Sequence, residues 1–477
     1  MNFVAFFPAI AEIWLSVGAL MLVLGGVFSK PEVWKGWTVF AILAIVASLI
    51  VATRHYEGAH SAFESMFMQD NLALSFKYLI GTGSILALIL AVPYFARRNE
   101  GKFEYPLLIL LATVGMFGMV SAQDFLALYV SLELQSLSLY VLASFRRDQR
   151  LNAEAGLKYF FLGALSSGLL LYGISLLYGY TGSTNYMTIG NTLAQGQITP
   201  AQIVALVLTF SGLAFKISAA PFHMWTPDVY QGAPTPVTAL FAMAPKAAAI
   251  GALCRLVTGP LAPVFEQVQQ VLIALSVLSL AVGAFAAIAQ KNVKRLMAYS
   301  SIGHMGFVLM ALAVGGPEAM RAAWFYAALY IIMSACAFAV ILAVYDDAEG
   351  KEDLGHLAGL AKRSPVLAFA FAATLLSMAG IPPFAGFLAK FYVFRAALEA
   401  GLVPLVVFGV IASVVSAYYY LRLIKIMYFD EAKKGTPALV VSKIWVAVAF
   451  LTAIALIALL VYPVPLGDLA QWAVTGQ

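Results

Sequence analysis

Residues Leu206–Lys246, LVLTFSGLAFKISAAPFHMWTPDVYQGAPTPVTALFAMAPK, form the stretch that decides the fold. Its first apolar run carries Lys216 and ends near Pro221, and its second apolar run carries Lys246. Both runs have the character of membrane-spanning segments. An ionisable side chain inside the hydrocarbon of a bilayer is costly, so it is by default a candidate functional residue. The stretch therefore predicts a membrane protein that uses these two lysines.

The composition excludes a soluble globular protein. Of the 477 residues, 62% are hydrophobic and only 11% are charged, whereas a soluble domain is about 25% charged. The two cysteines and five histidines lack the spacing of metal or haem sites, so neither a metal nor a bound redox cofactor is expected in this chain. The net charge of +5 is spread over loops, which argues against nucleic acid. We therefore expect an all-α polytopic membrane protein.

Apolar runs of about 20 residues predict about fourteen membrane-spanning helices, which we call the first to fourteenth spans. Most of the 28 basic residues lie in the odd-numbered loops. Because basic loops stay in the cytoplasm, both termini are expected on the periplasmic side. The predicted spans cover residues 8–28, 36–54, 72–96, 105–121, 124–145, 154–180, 200–221, 234–256, 265–289, 293–314, 320–345, 364–398, 403–429 and 441–463.

Two of these spans are predicted to be broken helices. The seventh is interrupted near Pro221, and the twelfth contains Pro382 and Pro383 between two glycines, Gly380 and Gly386. Proline removes a backbone donor, and a break inside a membrane is tolerated only where protein covers it or water reaches it. The two spans run in opposite directions, which is the mark of an inverted repeat built around a transport site.

This pattern predicts two inverted five-helix repeats. The first comprises the fourth to eighth spans in residues 105–256, and the second comprises the ninth to thirteenth spans in residues 257–430. Residues 1–104 would hold the first three spans, and residues 431–477 the last one.

One carboxylate, Glu133, lies deep in the fifth span. It follows Asp124 by nine residues and precedes Arg146 by thirteen, which places it roughly 14–20 Å from either end of the helix at ~1.5 Å per residue. A lone carboxylate at this depth loses its charge, whereas a neighbouring cation keeps it charged. Lys216 is the nearest candidate by depth. A static ion pair that only fixes helix packing is the alternative.

A static ion pair leaves two mid-membrane lysines, Lys246 and Lys390, without a carboxylate. Burial in a medium of low dielectric disfavours a charged ammonium, so a buried lysine can bind and release a proton. We therefore predict a file of proton carriers, linked by water, that runs from Glu133 through Lys216 and Lys246 to Lys390. A purely structural membrane subunit, whose buried charges serve assembly, is the competing hypothesis.

Three further residues are candidates for proton transfer. His304 lies deep in the tenth span and is expected to join the polar chain. Lys158 lies about two turns inside the sixth span, where it can equally serve as an interface anchor whose ammonium reaches the membrane surface. His223, at the cytoplasmic end of the broken seventh span, suits a structural hydrogen bond as well as proton transfer.

Three motifs in this chain resemble one family. They are FKISAAPFHMWTPDVYQGAPTPVTA at 215–239, NVKRLMAYSSIGHMGF at 292–307 and AGIPPFAGFLAKF at 379–391. They look like signatures of the antiporter-like, proton-conducting subunits of respiratory complex I and of related Na⁺/H⁺ antiporter complexes. SLELQSLSLYVL at 131–142 and LKYFFLGALSSGLLLYGISLLYG at 157–179 look most like the branch called subunit N.

The resemblance implies roles for the candidate residues. Glu133 and Lys216 would form the ion pair of the family, Lys246 would connect the two halves, and Lys390 would be the terminal lysine. Lys158 and His223 would also take part in the proton path.

The resemblance also implies an assembly and a location. The chain would be a non-redox subunit of a proton-translocating NADH:quinone oxidoreductase in a bacterial inner membrane. Its neighbours would be a second antiporter-like subunit, the small membrane subunits near the quinone site, and lipids. NADH, FMN, iron–sulfur clusters and quinone would bind to other subunits. A subunit of a cation/proton antiporter without a redox partner is the alternative function.

Overall fold

A computed structural model describes residues 3–56, 58–196, 198–345, 352–432 and 438–475. These residues form twenty α-helices, a few 3-10 turns and one small hairpin. The helices are α1 Ile10–Phe28, α2 Trp34–Arg54, α3 Asn71–Arg98, α4 Glu104–Ser121, α5 Phe125–Ala143, α6 Arg150–Thr181, α7 Tyr186–Ala194, α8 Pro200–Lys216, α9 Trp225–Gly232, α10 Thr235–Ala242, α11 Ala244–Thr258, α12 Phe265–Ile288, α13 Val293–Leu312, α14 Gly316–Tyr345, α15 Leu360–Arg363, α16 Pro365–Ala379, α17 Gly386–Glu399, α18 Val403–Phe429, α19 Lys443–Val461 and α20 Val464–Trp472.

The helices match the predicted spans. Eleven helical segments of the described chain are long and apolar enough to cross a membrane. The other three predicted spans correspond to α8, to α13, and to α16 with α17. The prediction of an all-α polytopic membrane fold is confirmed. The division of the chain at residues 104, 256 and 430 stays a prediction.

The seventh span differs from its predicted extent. Its helix α8 ends at Lys216 instead of residue 221, because Ser218 takes a left-handed backbone conformation with φ +64°. The chain then becomes helical again at Trp225, where α9 begins. The lysine therefore occupies the end of a half-helix, where backbone carbonyls lack intrahelical partners.

The eighth span, predicted to be continuous over residues 234–256, is broken as well. Met243 separates α10 from α11 with φ −106° and ψ −86°. Pro245 follows two residues later; it has no amide donor for the carbonyl four residues before it, and its ring clashes with that carbonyl. The interruption lies three residues before Lys246.

Several peripheral elements were not predicted from the sequence. They are the antiparallel hairpin of β1 His60–Ala62 and β2 Phe67–Gln69, and the short helices α7 and α20. The centre of the molecule is formed by α14 and the α10–α11 pair, which are almost entirely buried, whereas α2 and α19 largely face outward. The breaks near Lys216 and Lys246 therefore lie against protein, as unpaired backbone within a membrane requires.

Candidate functional site

The break after α8 provides acceptors for a buried ammonium. Lys246 on α11 donates hydrogen bonds to the Ile217 carbonyl at 3.1 Å and to the Ser218 hydroxyl at 3.2 Å. Only 1% of Lys246 is exposed. Carbonyls at the C-terminal end of a helix carry partial negative charge. The broken seventh span thus holds the lysine of the eighth span through neutral partners.

The break in the twelfth span has the same chemistry. The helix α16 ends at Ala379, and Gly380 follows with φ +82°. Lys390, one turn into α17, donates to the Ala379 carbonyl and to the Ser413 hydroxyl, both at 2.8 Å. The Phe307 ring lies 4.8 Å from the ammonium. Each break therefore binds a buried lysine through a helix-end carbonyl and a serine.

The ion pair implied between Glu133 and Lys216 is not a direct one, and that expectation is corrected. The Lys216 ammonium donates to the Ser136 hydroxyl at 2.7 Å, and Glu133 accepts a hydrogen bond from Ser167. None of the salt bridges between described residues joins the two groups. Ser136 lies one helical turn after Glu133, so a hydroxyl takes the place of the carboxylate at the ammonium. Glu133 is half-buried and remains close enough to act electrostatically on Lys216.

His304 lies between the two lysine sites. It is 3% exposed, and both Lys246 and Lys390 are close enough to act on it electrostatically. Its Nδ1 lies 2.7 Å from the Tyr326 hydroxyl, and its Nε2 lies 3.1 Å from the Tyr420 hydroxyl. A neutral imidazole has one donor and one acceptor nitrogen. A proton taken up at one nitrogen can therefore leave from the other.

Two predicted residues lie apart from this chain. The Lys158 side chain is 41% exposed and forms salt bridges with Glu154 at 2.8 Å and Asp228 at 2.7 Å, which fits the interface-anchor alternative. His223 is half-buried in the segment between α8 and α9. The structure brings neither residue into contact with Lys216 or Lys246.

Comparison with known proteins identifies the family. The sequence profile of the family described as NADH:quinone oxidoreductase/Mrp antiporter, TM, matches residues 122–416. The NADH-quinone oxidoreductase subunit N of Paramagnetospirillum magneticum is 48% identical, with 98% of this chain and 96% of the relative covered. That of Parvibaculum lavamentivorans is 50% identical over 90% of this chain and 88% of the relative. The chain belongs to the NADH-quinone oxidoreductase subunit N family.

Solved structures agree with this assignment to the subunit N family. A chain of respiratory complex I from Thermus thermophilus has 34% identity and a TM-score of 0.82, with 96% of this chain and 98% of that chain covered. A chain of an archaeal membrane-bound sulfane sulfur reductase has 27% identity and a TM-score of 0.84, with 98% and 97% covered. The Mrp complex from a Dietzia species, at 22% identity, shows the same fold with a TM-score of 0.84 and 99% of this chain covered. The family resemblance expected from the motifs is confirmed.

Sequence reasoning missed most of the neutral partners in this member of the subunit N family. They are hydroxyl groups that hydrogen-bond to the buried ionisable residues, namely Ser136, Ser167, Ser218, Ser413, Tyr326 and Tyr420. A weak signal existed for the two serines close in sequence to a charged residue, since Ser136 follows Glu133 by one helical turn and Ser218 follows Lys216 by two residues. Local sequence has no signal for the other four.

Sequence reasoning also missed a second set of buried charges, which lies near the N-terminal end of α3. Lys77 is fully buried and lies 2.7 Å from Glu12. Arg255 pairs with Asp70 through two hydrogen bonds of 2.7 and 2.9 Å. Direct pairing compensates the burial of these groups. Lys216, Lys246 and Lys390 differ from them because their hydrogen-bond acceptors are neutral.

Proposed function

We propose that this chain is the proton-translocating subunit N of a bacterial NADH:quinone oxidoreductase. Electron transfer from NADH to quinone in partner subunits would drive protons along its buried lysines. The observation that carries the proposal is the bonding of Lys216, Lys246 and Lys390, each at most 5% exposed and each hydrogen-bonded to neutral acceptors. A lysine held by neutral partners alone, as Lys246 and Lys390 are, leaves no unpaired anion behind when it loses its proton.

The geometry supports a stepwise transfer. Lys246 binds to the carbonyl of Ile217, the residue directly after Lys216. Two ammonium groups on neighbouring helices repel each other strongly where the dielectric constant is low. The arrival of a proton at one lysine therefore favours departure of the proton from the next. The half-buried carboxylate of Glu133 stabilises the charged form of Lys216, and a change in its charge would start the sequence.

The assembly and the location are part of the same proposal. The partners are a second antiporter-like subunit, the small membrane subunits near the quinone site, and membrane lipids. NADH, FMN, iron–sulfur clusters and quinone bind to other subunits. The chain lies in the bacterial inner membrane with both termini on the periplasmic side, as the distribution of basic residues in the loops indicates.

The test is NADH-driven proton uptake by inverted membrane vesicles that contain the assembled complex. Lys246→Ala is expected to abolish proton uptake by this subunit, because no other described ammonium binds to Ile217 and Ser218 at the break. Cys254→Ala on the same helix is the matched control, since Cys254 is fully buried but uncharged. Assembled Lys246→Ala and Lys216→Ala complexes with the normal ratio of protons to electrons would refute the proposal.

A subunit of a cation/proton antiporter is the second candidate. The family description includes Mrp antiporters, and the Mrp complex shares the fold. Vesicles in which a sodium gradient moves protons through this chain without NADH oxidation would favour the antiporter. Genes for dehydrogenase subunits beside this one would favour the oxidoreductase.

A further inference from the structure

A carboxylate at the cytoplasmic end of the seventh span joins three helices. Asp228 lies on α9, the eight-residue helix that follows the break. Its carboxylate accepts hydrogen bonds from Lys158 on α6 at 2.7 Å and from Arg295 on α13 at 2.5 Å. Asp228 and Lys158 belong to the first predicted repeat, and Arg295 belongs to the second. The three side chains are partly exposed, with fractions of 36%, 41% and 28%.

The C-terminal end of α9 is held by the same two neighbours. The fully buried Lys294 of α13 donates to the Ala233 carbonyl at 2.9 Å and pairs with Glu352 at 3.3 Å. The Asn152 amide of α6 donates to the Gly232 carbonyl. Carbonyls at a helix C-terminus favour cations and donors. Both the middle and the end of α9 are therefore tied to α6 and α13.

The position of α9 determines the geometry of the break. Trp225, its first residue, donates from Nε1 to the Phe215 carbonyl at 3.0 Å, next to Lys216. The Trp225 ring also stacks on Tyr159 of α6 with a centroid distance of 4.4 Å. On the other side, α13 carries His304 nine residues after Arg295. A shift of α9 would therefore reach Lys216 directly and His304 through a continuous helix.

We propose that Lys158, Asp228 and Arg295 form a positioning clamp that holds α9 between the two repeats and so sets the geometry of the lysine chain. The clamp rests on the proposed function, since it positions the residues that carry the protons. It assigns Lys158 a positioning role through Asp228 instead of a step in proton transfer. A side chain held by two carboxylates at the membrane surface, away from Lys216, suits that role.

Substitutions of Lys158 distinguish the clamp from a proton carrier. Arginine keeps the charge and the donors but does not release its proton at physiological pH. Lys158→Arg is therefore expected to pump protons at close to the wild-type rate, whereas Lys158→Met should pump about fivefold more slowly, as for the loss of a partly exposed ion pair. Lys362→Met is the control, because Lys362 pairs with Glu431 at 3.9 Å on the exposed surface. The Lys362→Met complex should pump at the wild-type rate.

The assay is the rate of NADH-driven proton uptake in vesicles with equal amounts of assembled complex. A Lys158→Arg complex as defective as Lys158→Met would overturn the clamp and make Lys158 a proton carrier. A Lys158→Met complex with wild-type pumping would overturn it as well. If Lys158→Met does not assemble, Asp228→Asn removes the charge at the centre of the clamp; about fivefold slower pumping supports the clamp, and unchanged pumping refutes it.

Lys246→Ala, measured in parallel, separates the two proposals. If Lys246→Ala stops pumping while Lys158→Arg fails like Lys158→Met, only the clamp is wrong. If Lys246→Ala pumps normally, the proposed function itself is wrong.

Discussion

Substitution of Gly380 tests how the break in the twelfth span holds Lys390. The residue ends α16 with φ +82°, a conformation that side-chain-bearing residues rarely adopt. A Cβ added to Gly380 would lie 2.7 Å from the Cδ atom of Lys390. Gly380→Ala therefore does two things: it strains the backbone, and it pushes the Lys390 side chain away from the Ala379 carbonyl.

The expected magnitude follows from these two effects. A left-handed alanine costs about 1–2 kcal/mol. Loss of a hydrogen bond to a charged group costs roughly a further 1.5–3 kcal/mol, and Lys390 donates two at 2.8 Å. Since ~1.4 kcal/mol corresponds to a factor of ten, the hydrogen-bonded ammonium should become at least about tenfold less populated.

Gly401 provides the matched control for the backbone effect. It follows the last turn of α17 with φ +77°, and a Cβ there would meet no atom within 4 Å. Gly401→Ala should therefore cost about 1–2 kcal/mol from backbone strain alone and leave Lys390 in place.

The assay compares both variants by NADH-driven proton uptake in inverted vesicles, with the amount of assembled complex measured on native gels. We expect Gly380→Ala to slow proton uptake about tenfold relative to Gly401→Ala. Equal proton uptake by the two variants would refute the idea that the ammonium must remain on the Ala379 carbonyl.

Three further predictions concern neighbouring groups. Ser413→Ala removes one of the two acceptors of Lys390 and should lower proton uptake at least about tenfold; unchanged uptake would show that the helix-end carbonyl suffices. Tyr420→Phe removes the hydroxyl at Nε2 of His304 and should lower proton uptake without loss of assembled complex, whereas full uptake would exclude a relay through that nitrogen. Burial tends to raise the pKa of the Asp228 carboxyl, but hydrogen bonds from the two basic residues of the clamp outweigh it and hold that pKa below its ordinary value. The stabilisation of the folded complex by this ionised carboxylate is then fully present above the unfolded pKa of about 3.9 and is lost as the pH falls through the lower folded pKa. The difference in thermal stability between the wild-type complex and Asp228→Asn should therefore stay constant from about pH 5.5 to pH 8. A difference that shrinks across this range would contradict the lowered pKa.

The predictable parts of the site depend on short-range chemistry. Lys216, Lys246 and Lys390 stand out because each interrupts an apolar run, and a charge in hydrocarbon is conspicuous whatever its neighbours are. The break beside Gly380 is equally visible, since proline and glycine act on the backbone within one turn. These features need no knowledge of which helices pack together.

The wrong or incomplete expectations about the bonding of the site residues concern partners from distant parts of the chain. Glu133 and Lys216 match in depth, yet Ser136 lies at the ammonium, because the rotation of each helix decides which side chain faces which. The depth of Lys158 in its span suits a proton carrier as well as an interface anchor. Only the packing of α9 against α6 shows that its ammonium binds to Asp228.

The amino-acid sequence by itself determined that this protein crosses a membrane many times, that two spans contain breaks, and that lysines lie beside those breaks. Hydropathy and backbone chemistry are local properties, so they can be read residue by residue. Only the tertiary structure decided that Lys246 is bound to the break in another span and that His304 lies between two tyrosines. Hydrogen bonds require contact within about 3 Å, and such contacts between residues far apart in the chain depend on how the helices pack.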